Sequence, residues 1–439
     1  MGLTSQSLEF AVIALAVACV VLTVWLWPRL SRRGVLPVLG RLGSILVTQV
    51  AVLCSLALAV NSGFEFYSSW DELLGNTDEA PVAVNKGGGP RYADAGSLRD
   101  GLVQPAGPQG LDRVSGLPEG APAEVGRVES VRIVGRRTRV INPAFVYLPP
   151  QYFQHQYRRQ RFPVSVVISG YPGGIMNLAQ HLRIPQTAGR LVEEGRMPPT
   201  VLVMVRPTIA PPRDTECVDV PDGPRAETFF VRDLPEAVKA AYRVGHDPSA
   251  WGAFGYSSGG TCSLQLALRN PGVYTSAVSL SGDYAVKDDL TTGSLFGGGA
   301  AAGRREREHD LLWRLRNLPV PQVSALVSSS RLGEPNYADT LRFIEAVRPP
   351  MTVDSIILPR GSHQFSTWRR EVAPALEWQG RQLTFPQDVE AAHAPPKRPG
   401  ADSAPSPSPS SAPSASPTAS PAGTPSAGTP PAGTTSPTG

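Results

Sequence analysis

Apolar positions along the chain fall into distinct regimes. Residues 10–27 pass without a single charge, about the shortest run that spans a bilayer. A second apolar run, 42–60, follows Arg29, Arg32, Arg33 and Arg41 and is interrupted by Gln49. Further on, short runs recur at 129–134, 144–148, 164–169, 201–205, 251–256, 277–280, 323–327 and 353–358. Several are continuously apolar, as strands buried on both faces of a parallel sheet must be. Between them, 227–242, 263–268, 337–347 and 368–378 carry helical spacing. Strand–helix alternation over this length predicts an α/β sheet with helices on both faces.

The pattern divides the chain into four parts. Residues 1–63 read as two transmembrane helices with an Arg loop between them. Positive charge stays in the cytoplasm, so the loop is expected inside and everything after residue 63 outside. Phe64, Phe66, Tyr67 and Trp70 then fall where an interfacial aromatic belt would lie. A second reading stays open: Ser31-Arg32-Arg33, the next apolar run and Ala57-Leu58-Ala59 also fit a twin-Arg signal that is cleaved and releases the protein. Residues 64–125, rich in Gly, Pro and acidic side chains, read as a flexible extracytoplasmic linker. Residues 126–392 form the folded unit. Residues 393–439, dominated by Pro, Ala, Ser, Thr and Gly, read as a disordered tail, whether solvated, wall-spanning or O-glycosylated.

Composition narrows the function. Hydrophobic residues make up 41% of the 439, enough for a sizeable core. A net charge of +4 without basic clustering argues against a nucleic-acid partner. Lysine is confined to Lys86, Lys239, Lys287 and Lys397, a bias that points to a GC-rich genome and not to a function.

The fifth residue of the 251–256 strand begins the decisive motif. Gly255-Tyr256-Ser257-Ser258-Gly259 fits G-x-S-x-G, the nucleophile elbow of α/β-hydrolases, in the required strand–turn–helix context. The serine must sit in a strained turn, and the glycines let the backbone approach itself. A Gly/Ser-rich turn without catalysis is the plainer alternative. An elbow serine needs an acid and then a base later in the chain. Of six histidines, His155, His181 and His246 precede it, His393 lies in the tail, and His309 sits in the charged run RREREHD, which reads as a solvated helix face. His363 follows the last strand through a short loop and is the expected base. Glu334, after the 323–327 strand, is the expected acid, ahead of Asp339 in a helical pattern and Asp354 in a strand. The oxyanion hole is expected from the backbone N–H groups of Ser258 and Tyr171, the latter because Pro172 has no N–H.

Export would also bear on cysteine. Cys19 and Cys54 lie in the apolar runs, whereas Cys217 and Cys262 lie in the folded unit. In an oxidising compartment the latter two could pair; two separately buried thiols is the alternative. No His/Cys cluster has ligand spacing, so no metal is expected. Residues 287–318 read as an insertion over the pocket.

At these positions the chain resembles the esterase D and mycobacterial mycolyltransferase branch of the α/β-hydrolases, and membrane-tethered actinobacterial members of it. The resemblance runs from about 131 to 383. It rests on Phe145-Val146-Tyr147-Leu148-Pro149-Pro150, Glu227-Thr228-Phe229, Asp233-Leu234-Pro235, the elbow, Ser279-Leu280-Ser281-Gly282, and Gly361-Ser362-His363-Gln364-Phe365 with Trp368. The loop Ser169-Gly170-Tyr171-Pro172 departs from the His-Gly-Gly of many esterases. The resemblance implies an α/β-hydrolase fold and a Ser257, Glu334, His363 triad. It also implies acyl-ester substrates, small molecules or envelope lipids and glycans, and neither metal nor cofactor. Water as acceptor makes an esterase and a sugar or alcohol hydroxyl an acyltransferase. A non-catalytic envelope-binding module and a peptidase are the competing classes.

Overall fold

The structure, a computed structural model, describes residues 6–31, 34–64, 101–106 and 117–385. The expectations for Arg32 and Arg33, for residues 65–100 and 107–116 of the linker, for His393 and for the 393–439 tail lie outside the described residues.

Two helices open the chain, α1 (Gln6–Leu26) and α2 (Val35–Phe64). Both are long and apolar enough to cross a membrane, and their large apolar side chains are exposed, Leu15, Trp25, Leu46 and Leu53 among them. They touch through a polar pair, Thr23 Oγ1 to Thr48 Oγ1 at 2.8 Å.

The folded unit is built on one nine-stranded sheet: β1 (Val103–Pro105), β2 (Arg127–Val134), β3 (Ile141–Leu148), β4 (Val164–Ile168), β5 (Val201–Val205), β6 (Trp251–Tyr256), β7 (Ser276–Leu280), β8 (Ser324–Ser330) and β9 (Thr352–Leu358). Their spatial order is β1-β2-β3-β5-β4-β6-β7-β8-β9. The pairs from β5 through β9 are parallel, while β1, β2 and β3 add antiparallel strands at one edge. All eight expected strands form. The flexible-linker expectation fails at β1, which the Gly/Pro-rich context hid: Val103 pairs with Ile133 and Pro105 with Val131, covering the edge of β2.

Alternate residues of each strand face opposite layers, since the side-chain period is two. On one side Phe145, Tyr147, Val167, Met204, Phe254 and Val278 pack against α3 (Ile184–Glu193) and, through Phe365, Trp368, Val372 and Leu376, against a long final helix, Phe365–Gln382. On the other, Val146, Val164, Val166, Ile168, Ala253, Ala277 and Ala325 pack against α4 (Leu234–Ala241), α5 (Ser258–Arg269), α7 (Leu311–Asn317) and α8 (Tyr337–Ala346). Helix α6 (Ala300–Glu308) precedes α7, and the final helix is α9. The fold is the expected α/β-hydrolase architecture. The 287–318 insertion carries α6 and α7 in its second part, and its first part joins a small apolar cluster of Val218, Val220, Val286, Leu295 and Phe296.

Candidate active site

Strand β6 lies inside the parallel part of the sheet with every residue buried. At its end the chain turns at Ser257, which takes φ 55° and ψ −130°, and Ser258 begins α5. A positive φ is costly for a serine and marks stored strain. The turn is held by the Ser257 N–H donating to the Leu280 carbonyl at 2.9 Å and by the Gly260 N–H donating to the Ser257 carbonyl at 2.8 Å. The motif's glycines are required by contact. A Cβ at Gly255 would lie 2.1 Å from the Gly259 carbonyl oxygen, and one at Gly259 would lie 2.3 Å from the Ile168 carbonyl oxygen.

The loop between β9 and α9 brings His363 to this turn, its Nε2 2.8 Å from Ser257 Oγ. With the ring neutral and Nε2 unprotonated, the hydroxyl donates to it. Trp368 packs edge-on against the imidazole at 4.9 Å. Desolvation depresses the His363 pKa, and the charge of Glu334 opposes that shift.

Glu334 follows β8 and is buried. One carboxylate oxygen accepts from the Ser330 N–H at 2.7 Å and the other from the Ser281 hydroxyl. Ser281 Oγ in turn accepts from Trp368 Nε1 at 3.0 Å. The acid and base loops touch directly: Gly333 has φ +104°, and a Cβ there would stand 2.1 Å from the Gly361 carbonyl oxygen. Gly361 N–H returns a bond to the Leu332 carbonyl at 3.1 Å. The structure thus gathers Ser257, Glu334 and His363 at the carboxyl ends of β6, β8 and β9.

Tyr171 and Ser258 are also neighbours, although the expected open hole is partly filled. The Tyr171 N–H donates to Ser258 Oγ at 2.8 Å. Gly170 allows the close approach, since a Cβ there would lie 2.8 Å from a ring carbon of Tyr256 and 3.0 Å from Ser257 Cβ. Cys217 and Cys262 form a disulfide with 5.5 Å between their Cα atoms, tying the 214–217 turn to α5 one helical turn beyond Ser258.

Several groups escaped the sequence reading. Asp214 is buried, accepts from the Glu216 N–H at 3.0 Å, and is pushed up to about 6, chiefly by burial. Glu371 on α9 is fully buried, accepts from Ser328 Oγ at 2.8 Å, and is pushed up to about 8 by burial. His309 corrects the expectation of a solvated face. Its Nδ1 bonds the Arg305 carbonyl at 2.8 Å, its ring is buried beside Phe296, and burial lowers it to about 4. The end of α6 folds inward there, where Arg269 and Glu227 form a bidentate pair at 3.0 Å. Among the described residues, no group of three or more His, Cys, Asp or Glu side chains is placed to hold a metal ion.

Residues 137–315 match the family model described as Putative esterase. The match bears out the resemblance seen in the motifs and supports an ester hydrolase. It covers less than half of the chain and includes Ser257, Ser258, Tyr171 and both disulfide cysteines, while Glu334 and His363 lie beyond it. An uncharacterised protein of Corynebacterium glutamicum is 26% identical over 382 residues, with 81% of each chain covered. Among solved structures, a ferulic acid esterase is similar with a TM-score of 0.49 at 17% identity, covering 59% of this chain and 98% of its own. An S-formylglutathione hydrolase of Agrobacterium tumefaciens has a TM-score of 0.49 at 16% identity, covering 61% and 98%.

Proposed function

We propose that the protein is a serine ester hydrolase that works through an acyl-enzyme on Ser257. The observation that carries this reading is the 2.8 Å contact between Ser257 Oγ and His363 Nε2 at a strained elbow. His363 takes the hydroxyl proton as Ser257 attacks the ester carbonyl, and later returns it to the leaving alcohol. Glu334, fixed by Ser281 and Ser330, stabilises the imidazolium that forms between these steps. The amides of Ser258 and Tyr171 face the developing oxyanion. Water then releases the acyl group, or a sugar or alcohol hydroxyl receives it.

The placement we infer is a membrane-tethered enzyme with its folded unit outside the cytoplasm. Support comes from α1 and α2, from the positive charge at Arg29 and Arg41 between their apolar runs, and from the Cys217–Cys262 disulfide, a bond that persists in oxidising compartments. The substrate is then a small acyl ester or an envelope lipid or glycan ester. The catalytic unit begins no later than β1 and extends through α9.

The test is turnover of 4-nitrophenyl acetate and butyrate by the full-length protein in detergent, with glycerol or glucose as competing acceptors. Nitrophenol release that vanishes in Ser257→Ala supports the reading, and acylated acceptor in the product mixture assigns transfer. Equal turnover by wild type and Ser257→Ala would overturn it.

A further inference from the structure

The two amides proposed for the oxyanion hole are not equivalent. The Ser258 amide begins α5, whereas the Tyr171 amide already has a partner: the side-chain oxygen of Ser258, at 2.8 Å. One residue thus supplies a donor to the hole with its backbone and engages the other donor with its side chain. That hydroxyl also acts on the buried Asp214 carboxylate, lowering its pKa against the push of burial. A chain of contacts follows, from the Tyr171 amide to Ser258 Oγ and from the Ser258 hydroxyl to Asp214.

The surrounding covalent frame keeps Asp214 in place. Asp214 accepts from the Glu216 N–H at 3.0 Å, and its own N–H donates to the Thr291 carbonyl at 3.1 Å. Glu216 and Cys217 both take positive φ, 44° and 56°, and Cys217 is bonded to Cys262 on the same helix that Ser258 opens. The charged neighbourhood is acidic: Asp289 acts on Asp214, the charges of Asp214, Asp283 and Asp289 raise Glu216, and Asp214 and Asp289 act on the Tyr171 phenol. Arg213, next in sequence, is turned away to the carbonyls of Thr292 and Ser294.

Building on the proposed Ser257 mechanism, we propose that the Ser258 side chain is a latch in the oxyanion hole, held closed by Asp214, which the substrate's oxyanion must displace. With its proton committed to Asp214, Ser258 Oγ presents lone pairs to the Tyr171 amide. A carbonyl oxygen arriving there competes with a neutral acceptor already seated. The Tyr171 amide therefore stabilises the transition state only after one hydrogen bond is exchanged for another. Ser258 and Asp214 are positioning residues in this account, and neither exchanges a proton with the substrate.

The latch predicts that removing a side chain improves catalysis. In the full-length enzyme, Ser258→Ala keeps the backbone amide and removes the competitor. Its kcat/KM for 4-nitrophenyl butyrate should rise, and its Ki for phenylboronic acid should fall, each by roughly threefold to tenfold, the range of one net hydrogen bond. Phenylboronic acid adds to the serine oxygen and places a B–O group in the hole, so it reads the hole without turnover. Ser258→Thr, which restores a hydroxyl, should return toward wild type. Asp214→Asn should move boronate affinity in the same direction as Ser258→Ala.

The pH dependence of the ratio of Ser258→Ala to wild type separates the latch from His363, whose titration is common to both enzymes. Asp214, raised to about 6, is ionised above that value and protonated below it. The ratio should be largest above pH 6 and fall toward one below it, and it should be flat in an Asp214→Asn background. A Ser258→Ala enzyme that is folded, labels normally with a fluorophosphonate, and shows unchanged or weaker boronate binding would overturn the latch. Undiminished labelling of Ser257→Ala would instead overturn the underlying nucleophile assignment.

Discussion

Ser257 and His363 stand 106 positions apart in the chain, yet the hydroxyl of one lies 2.8 Å from the Nε2 of the other. A contact of this kind has a pH signature. Burial lowers the His363 pKa from its ordinary 6.5, and the Glu334 charge raises it in part. The base works only when neutral, so activity should persist below pH 6.5 and fall on an acid limb beneath that value. Removing the Glu334 charge removes the raising influence. Glu334→Gln should therefore move the acid limb to still lower pH while reducing kcat by about 10²- to 10⁴-fold. A pH profile of kcat/KM for both enzymes checks the sign, and an upward move of the limb would contradict it.

The acid and base loops meet at Gly333 and Gly361. With φ +104° and a Cβ that would stand 2.1 Å from a carbonyl oxygen, Gly333 has no room for a side chain. Gly333→Ala should cost more than about 1 kcal/mol and lower kcat by displacing Glu334. Denaturant titration beside ester turnover measures both. A variant as stable and active as wild type would show that the two loops need not touch.

Cys217 and Cys262 close a loop of 45 residues. Cross-linking a loop of that length stabilises by about 4 kcal/mol in the chain-entropy account. Reduction, or Cys217→Ser with Cys262→Ser, should lower the melting temperature clearly. Boronate affinity should change as well, because the disulfide anchors the turn that carries Asp214. Identical melting with and without reductant would contradict the first expectation.

Glu371 is fully buried and pushed up to about 8 by desolvation, with Glu334 adding to the shift. An acid whose folded pKa is raised stabilises the fold below its unfolded value near 4.5, and that contribution is lost as pH rises through the folded value. Relative to wild type, Glu371→Gln should gain stability between pH 4.5 and 8 by roughly 3–5 kcal/mol. Its Oε1 can still accept from Ser328. Parallel unfolding curves at pH 5 and pH 8 test this, and an unchanged difference between the two proteins would contradict it.

The legibility of this chain follows from how local each signal is. Strands such as Val164–Ile168 and Val201–Val205 are buried at every residue, so the second reads as an uninterrupted apolar run and the first as one broken only by Ser165. The elbow is equally local, because its glycines are dictated by contacts within a few residues and one neighbouring strand. Strand β1 escaped notice because three residues carry no period, and its pairing with Arg127–Val134 is its only reason to be extended. Ser281, Ser330 and Asp214 are ordinary in sequence. Their importance comes from meeting Glu334 and Ser258 across the fold, and no spacing rule reports it. His309 misled for the opposite reason: RREREHD looks solvated, but the last turn of α6 rotates one ring inward against Phe296 and toward Glu227, 4.0 Å from its Nε2.

The proposed activity stands on Ser257 being an activated nucleophile. The most direct test is intact-mass analysis of the full-length protein after a fluorophosphonate probe, wild type beside Ser257→Ala. An activated Ser257 gives a single adduct on wild type, mapped to that residue, and none on the variant. A folded wild type that stays unlabelled, or a variant that labels equally well, would contradict it.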